Sequence, residues 1–87
     1  MNHLTRTLAL ELGPLDIRVN AVAPGATRTD IGDQIIRARG EKNFVAVTPL
    51  GRVGEPSDVA HTVCWLASEA THWVTSQLVE ASGGMTL

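Results

Sequence analysis

Few residues of this 87-residue sequence stand where chemistry needs them. His3, His61 and His72 share no i, i+4 spacing and have no Cys or carboxylate cluster beside them, so no metal site is expected. Ser57, Ser68, Ser76 and Ser82 have no neighbouring base in the sequence, which leaves a nucleophilic triad unsupported. Cys64 is the single cysteine and cannot form an internal disulfide. Its place near an apolar helical stripe reads as a packed thiol rather than a reactive one. No G-x-G-x-x-G run that would cradle a dinucleotide phosphate occurs. Arg37, Arg39 and Lys42 cluster in one segment. They either attract an anionic substrate or phosphate-bearing carrier, or form the solvated basic face of a short helix, which is the commoner arrangement. Trp65 and Trp73 read as core or interface aromatics rather than stacking platforms. What remains is Pro24-Gly25, directly after a β-branched run; alone, such a pair is an ordinary strand-ending turn.

The elements around these residues can be read from periodicity. Leu4, Leu8 and Leu12 recur every four residues with Ala9 beside them, which predicts a helix that ends at Gly13-Pro14. Asn2 is the one candidate cap, so this helix reads as cut into rather than begun. Residues 17–23 (IRVNAVA) read as a strand running into Pro24-Gly25. Ile31, Ile35 and Ile36 give a short helix over residues 29–38, and Gly40, Pro49, Gly51, Gly54 and Pro56 then punctuate a long irregular stretch. A second strong helix starts at Pro56, a residue suited to the first turn, with Asp58 near its positive end. Val59, Ala60, Val63, Leu66 and Ala67 form its expected buried stripe. Residues 77–81 read as a second strand, closing in Ser82-Gly83-Gly84. Helix, strand, loop, helix, strand is the pattern of a parallel βαβ unit, and so an α/β fold. Two parallel strands leave two sheet edges and need helical cover on both faces, so the fold reads as incomplete by itself.

Composition narrows the class of protein. Apolar residues make up 44% and charged residues 18%, which suits one small globular domain and excludes a disordered, charge-rich segment. Seven Lys and Arg against nine Asp and Glu give a formal charge of −2, with no electrostatic footprint for nucleic acid or an anionic membrane. No apolar run approaches the ~20 residues of a membrane helix, and the first residues lack the order of a secretory signal. A cytoplasmic protein is expected.

Three blocks in order, LTRTLALELGPLDIRVNAVAPGATRTD, TPLGRVGEPSDVAHTVCWLAS and WVTSQLVEASGG, resemble the C-terminal third of a short-chain dehydrogenase/reductase. The resemblance covers essentially the whole chain and implies a partial Rossmann-like fold, the last parallel βαβ unit of a doubly wound sheet. It implies that residues 1–12 are half of the catalytic helix, 17–25 a strand with its Pro-Gly turn, and 26–55 the substrate-loop region. Residues 56–68 are then the crossover helix, and 77–84 the last strand and its Gly-Gly end. By the same resemblance Pro24, Gly25, Thr27 and Thr29 bind the cofactor, NAD or NADP: glycine lets the backbone pass the nicotinamide, Thr27 contacts its carboxamide through the backbone, and Thr29 hydrogen-bonds nearby. Thr27 and Ser76 depart from the family's usual Val or Ile and Gly, and Ser76 is expected to strain the turn into the second strand.

The family's hydride transfer needs a Tyr hydroxyl as proton donor, a Lys that lowers its pKa, a Ser, and a glycine-rich phosphate loop. This sequence has no Tyr, and its one Lys, Lys42, falls in the variable loop. The expectation is therefore a piece of an NAD(P)-dependent oxidoreductase, inactive and without bound cofactor when alone. The alternative is a small non-catalytic protein that pairs with a full-length family subunit. In either case the resemblance implies a homo-oligomer, or such pairing, through the Pro56 helix and the Gln77 strand.

Overall fold

The best-specified element is the helix that starts at Pro56. In the computed structural model, which describes residues 2–85, it is α4 (Pro56–Ala67), entered from an extended Glu55 with Pro in its first turn. Asp58 turns back to accept the Glu55 backbone N–H at 2.8 Å, one arm of a capping box. Ser68 stops the helix with its hydroxyl on the Trp65 carbonyl at 2.6 Å, one residue before the expected end.

The preceding elements are α1 (Asn2–Leu12), a 3₁₀ turn over Gly13–Leu15, β1 (Ala21–Pro24), α2 (Asp30–Arg39) and α3 (Glu41–Ala46). After α4, a 3₁₀ turn over Glu69–Thr71 leads to β2 (Leu78–Ala81). The strands pair in parallel, Ala21 opposite Leu78 and Pro24 opposite Ala81, with α4 as the crossover. This is the expected α/β unit. The Asn2 cap falls on a side chain outside the described residues. Among the described residues no helix is long and apolar enough to cross a membrane.

The first strand is shorter than the 17–23 expected, for a polar reason. Arg18 turns its guanidinium onto the carboxyl end of α4, donating to the carbonyls of Thr71 at 2.8 Å, Leu66 at 3.0 Å, Val74 at 3.2 Å and Ser68 at 3.4 Å. Asn20 donates to the Val74 carbonyl at 3.0 Å and accepts the Gln77 N–H at 3.1 Å. Val19 donates to the Thr75 hydroxyl and accepts the Ser76 N–H. Residues 18–20 are therefore occupied with the turn before β2, and the ladder begins at Ala21. The second strand likewise begins at Leu78, one residue later than expected.

Two further differences concern helices. Thr29 caps α2 rather than joining it, its hydroxyl accepting the Gly32 N–H at 3.0 Å, so the helix runs one residue later than the 29–38 expected. Residues 41–46, expected as irregular, form α3. Six residues are too few to show a periodicity; Gly40, at φ 89°, breaks the chain between α2 and α3.

Burial departs most from expectation. On α1, Thr5 and Ala9 are buried, while Leu4 and Leu10 are 62% and 74% exposed. On α4 only Leu66 is buried; Ala60, Val63 and Ala67 are exposed, and so is Cys64, which corrects its reading as a packed thiol. Trp65 and Trp73 are exposed and are not core aromatics. A two-stranded sheet is wide enough to cover one narrow stripe of a helix, so the rest of each apolar face stays in solvent. The radius of gyration, 15.0 Å, exceeds the about 12 Å expected of a compact domain this long.

Two consequences can be tested by denaturation. Ser76 sits at φ 60°, the left-handed region that an L side chain occupies at a cost, as its replacement of the family's glycine implied. Ser76→Gly should raise stability by about 1 kcal/mol, read as a shifted urea midpoint at constant slope. Arg18→Met keeps the stem but strips donors from the end of α4, and should lower stability by about 2 kcal/mol. An unchanged midpoint in Arg18→Met would mean that the carbonyls of α4 are satisfied without it.

Candidate functional site

The carboxyl ends of the paired strands set the site. At the end of β1, Gly25 donates its N–H to the Ala81 carbonyl at 3.2 Å. A side chain there would place its Cβ 2.9 Å from both Cα and Cβ of Ser82, so glycine is required by the neighbouring strand end itself. Beyond Gly25 the chain makes a second parallel contact, Thr27 beside Gly54, through the Gly54 N–H to Ala26 O and the Arg28 N–H to Gly54 O bonds, both 2.8 Å.

Thr27 is buried at 8% exposure and its hydroxyl donates to the Gly25 carbonyl at 2.9 Å, so the polar side chain is satisfied where the family usually has Val or Ile. Its carbonyl accepts the Thr29 N–H at 2.8 Å, whereas its own N–H meets no acceptor among the described residues. Gly32 passes so close to that carbonyl that a Cβ would lie 2.1 Å from the oxygen. Thr29 then starts α2, and α2 and α3 fold over the strand end.

The result is an apolar groove of about 400 Å³. Pro24, Gly25, Thr27 and Thr29 all line it, facing Ile35 and Phe44. The four residues that the family resemblance nominates are thus brought together in space. No ionisable side chain lines the groove, so among the described residues it offers shape, apolar contact and a few hydrogen-bonding groups, and no general acid or base.

The other candidates lie elsewhere. Arg37 pairs with Asp33 at 3.0 Å and is 82% exposed, and Arg39 and Lys42 are exposed outside the groove, which fits the solvated basic face. His3, His61 and His72 are exposed, and no group of His, Cys, Asp or Glu among the described residues is placed to hold a metal ion.

Two arginines that the sequence reading passed over shape the surroundings. Arg52 makes a two-pronged contact with Asp58, at 2.8 and 3.1 Å. The Arg52 guanidinium, helped by the Glu55 backbone N–H, holds the Asp58 carboxyl down at about 2 from its ordinary 3.8. Arg28 meets Asp33 at 3.5 Å, Glu55 at 3.3 Å, and Glu41. The Glu41 hydrogen bond raises the Arg28 pKa above the ordinary arginine value, with Glu41, Glu55 and Asp33 adding attraction and desolvation opposing it. The Arg52 and Asp58 signal was in the sequence as opposite charges flanking a Gly-Glu-Pro turn; that of Arg28 was not, because its partners come from three elements.

A family model described as enoyl-(acyl carrier protein) reductase matches residues 1–86. The chain is 41% identical over 83 residues to a 7alpha-hydroxysteroid dehydrogenase of Escherichia coli K12, an alignment covering 95% of this chain and 32% of that protein. It is 48% identical over 83 residues to a 3alpha-hydroxysteroid dehydrogenase of Mediterraneibacter gnavus, covering 95% and 33%. Among solved structures, a hydroxysteroid dehydrogenase from Escherichia coli superposes with a TM-score of 0.90 at 40% identity, over 99% of this chain and 36% of that one. A 7 alpha-hydroxysteroid dehydrogenase complexed with NADH and 7-oxo glycochenodeoxycholic acid does so with a TM-score of 0.90 at 40% identity, over 98% and 33%. The chain spans about a third of the length of the curated relatives it matches.

The Asp58 geometry fixes a pH dependence. Its carboxyl is lower in the folded chain than in the unfolded one, so the stability it contributes is complete above pH 4 and disappears as pH falls through about 2. Hydrogen exchange in the first turn of α4, taken relative to the intrinsic rate at each pH, should accelerate across that window. The acceleration should be absent in Asp58→Asn, which carries no charge to lose.

Proposed function

The chain belongs to the short-chain dehydrogenase/reductase family, and from that premise we propose that it supplies the nicotinamide-side wall of an NAD- or NADP-dependent oxidoreductase. The reaction is the interconversion of a carbonyl and an alcohol by hydride transfer. The observation that carries this reading is that Pro24, Gly25, Thr27 and Thr29 line one apolar groove at the carboxyl ends of parallel strands, where ligands bind in doubly wound sheets.

The groove suits the nicotinamide end of the cofactor and not its phosphates. Its apolar walls accept a planar ring, and no cationic side chain lines it to meet a pyrophosphate. A bound nicotinamide supplies the hydride. Pro24 and Gly25 would pack against the ring; the Thr27 N–H would be available to a carboxamide oxygen, and Thr29, whose oxygen accepts from Gly32, still has its hydroxyl proton to donate. The proton that must accompany the hydride has no donor in the groove, and the sequence has no Tyr. The 87 residues alone therefore neither turn over substrate nor hold cofactor at micromolar concentration. A cytoplasmic location belongs to the same proposal.

A second reading, a non-catalytic subunit paired with a complete relative through α4 and β2, is favoured by one observation: Val63 and Trp65 on α4 are 48% and 53% exposed. Capture of the native product from its source cells, with an antibody to the C-terminal segment, separates the two. A product far heavier than 9.3 kDa that oxidises NADH or NADPH with a carbonyl substrate is the expected result. A 9.3 kDa product bound to a larger relative would overturn the first reading in favour of the second.

A further inference from the structure

Residue 28 is tied to four places at once. Its backbone N–H donates to the Gly54 carbonyl at 2.8 Å. Its guanidinium reaches Asp33 on α2, Glu41 at the start of α3 and Glu55 at the N-terminus of α4. The side chain is 37% exposed, so these pairs form at the surface and are open to screening. The helices it ties down, α2 and α3, carry Ile35, Ile36 and Phe44, which form one wall of the groove.

Apart from the buried Ile36, and from Thr48 and Leu50 just after α3, where Thr48 is buried and the Leu50 N–H donates to the Gly83 carbonyl at 3.1 Å, little else attaches that wall to the rest of the chain. Apart from Ile36, the apolar side chains of α2 and α3 are half-buried or exposed, Ile31 to 73% and Ile35 to 45%. A segment with so few buried apolar contacts opens at low free energy. Its position then depends on polar ties, and those to α4 converge on one guanidinium. Arginine suits this role because its planar fork presents donors in several directions, whereas a lysine ammonium cannot span three carboxylates.

We propose that Arg28 is a positioning residue, a surface latch that holds the α2–α3 flap against the N-terminus of α4 and so sets whether the groove is closed. The latch is a property of this chain's own residues. Its effect on substrate rests on the oxidoreductase reading above, while the latch itself is read without substrate or cofactor.

The test is hydrogen exchange followed by mass spectrometry on the native polypeptide that carries these residues. Arg28→Gln should speed exchange across residues 30–46 about fivefold, the size expected of a half-exposed charge network, with exchange in β1 and the second half of α4 unchanged. Arg28→Lys should fall between. Glu41→Gln should speed exchange on its own, and adding it to Arg28→Gln should change nothing further, because the two act through one contact. Raising salt should loosen residues 30–46 in the native protein and not in Arg28→Gln. Native-like exchange in Arg28→Gln, additive effects of the two substitutions, or acceleration spread evenly over all elements would each overturn the latch. Since none of these readouts involves turnover, the latch can fail while the oxidoreductase reading stands, and the reverse.

Discussion

The guanidinium of Arg18 ties the chain entering β1 to the end of the helix that crosses between the strands. Two parallel strands of four residues each are too short to persist by their own ladder, and parallel pairing needs its crossover docked. Arg18 docks it at one end. The carbonyls of Leu66, Ser68, Thr71 and Val74 converge on the charge, where the last turn of α4 leaves acceptors free and the helix dipole is negative. Thr71, nearly fully buried, adds its hydroxyl to the Leu66 carbonyl and completes the polar knot. Asn20 bonds on both sides of the turn into β2 and, with the Ser76 N–H to Val19 carbonyl bond, holds the register in which the strands pair.

Everything at the opposite end follows from that register. Because Pro24 stands beside Ala81, Gly25 meets Ser82 at a distance no side chain tolerates. The chain is then directed to Gly54, and Thr27 is buried with its hydroxyl on the Gly25 carbonyl. Gly25 is thus a structural necessity of this sheet before it is a contact for any ligand. The positive charges follow the same logic. Arg18, Arg28 and Arg52 each satisfy a helix end or an acidic neighbour, and among the described residues no titratable group lines the apolar groove. In the proposed function a groove of that kind would orient a ring by shape and apolar contact and would take its proton chemistry from elsewhere.

The exposed faces show how little of the apolar surface two strands can cover. Val63 on α4 and Leu4 on α1 lie in solvent at sequence positions patterned for burial, and Trp65 and Leu10 are exposed on the same two helices.

The sequence by itself determined the local structure: where α1 stops at Gly13-Pro14, where α4 starts at Pro56 with Asp58 in its first turn, and the two strands in parallel order. These signals are short-range, set by φ limits, caps and side-chain alternation within a few residues. The nomination of Pro24, Gly25, Thr27 and Thr29 came from resemblance, and the structure brings them together in one groove. Only the tertiary structure decided what the elements touch. Periodicity says which face of α4 is apolar and not whether a neighbour covers it, so Cys64 and Val63 were assigned to an interior they do not reach. The α3 helix is too short to show a period, and Arg18 and Arg28 look like ordinary surface charges until segments far along the chain bring their partners. Long-range contacts leave no local pattern to read, and it is long-range contacts that place Gly25 against Ser82 and the arginines on their carbonyls and carboxylates.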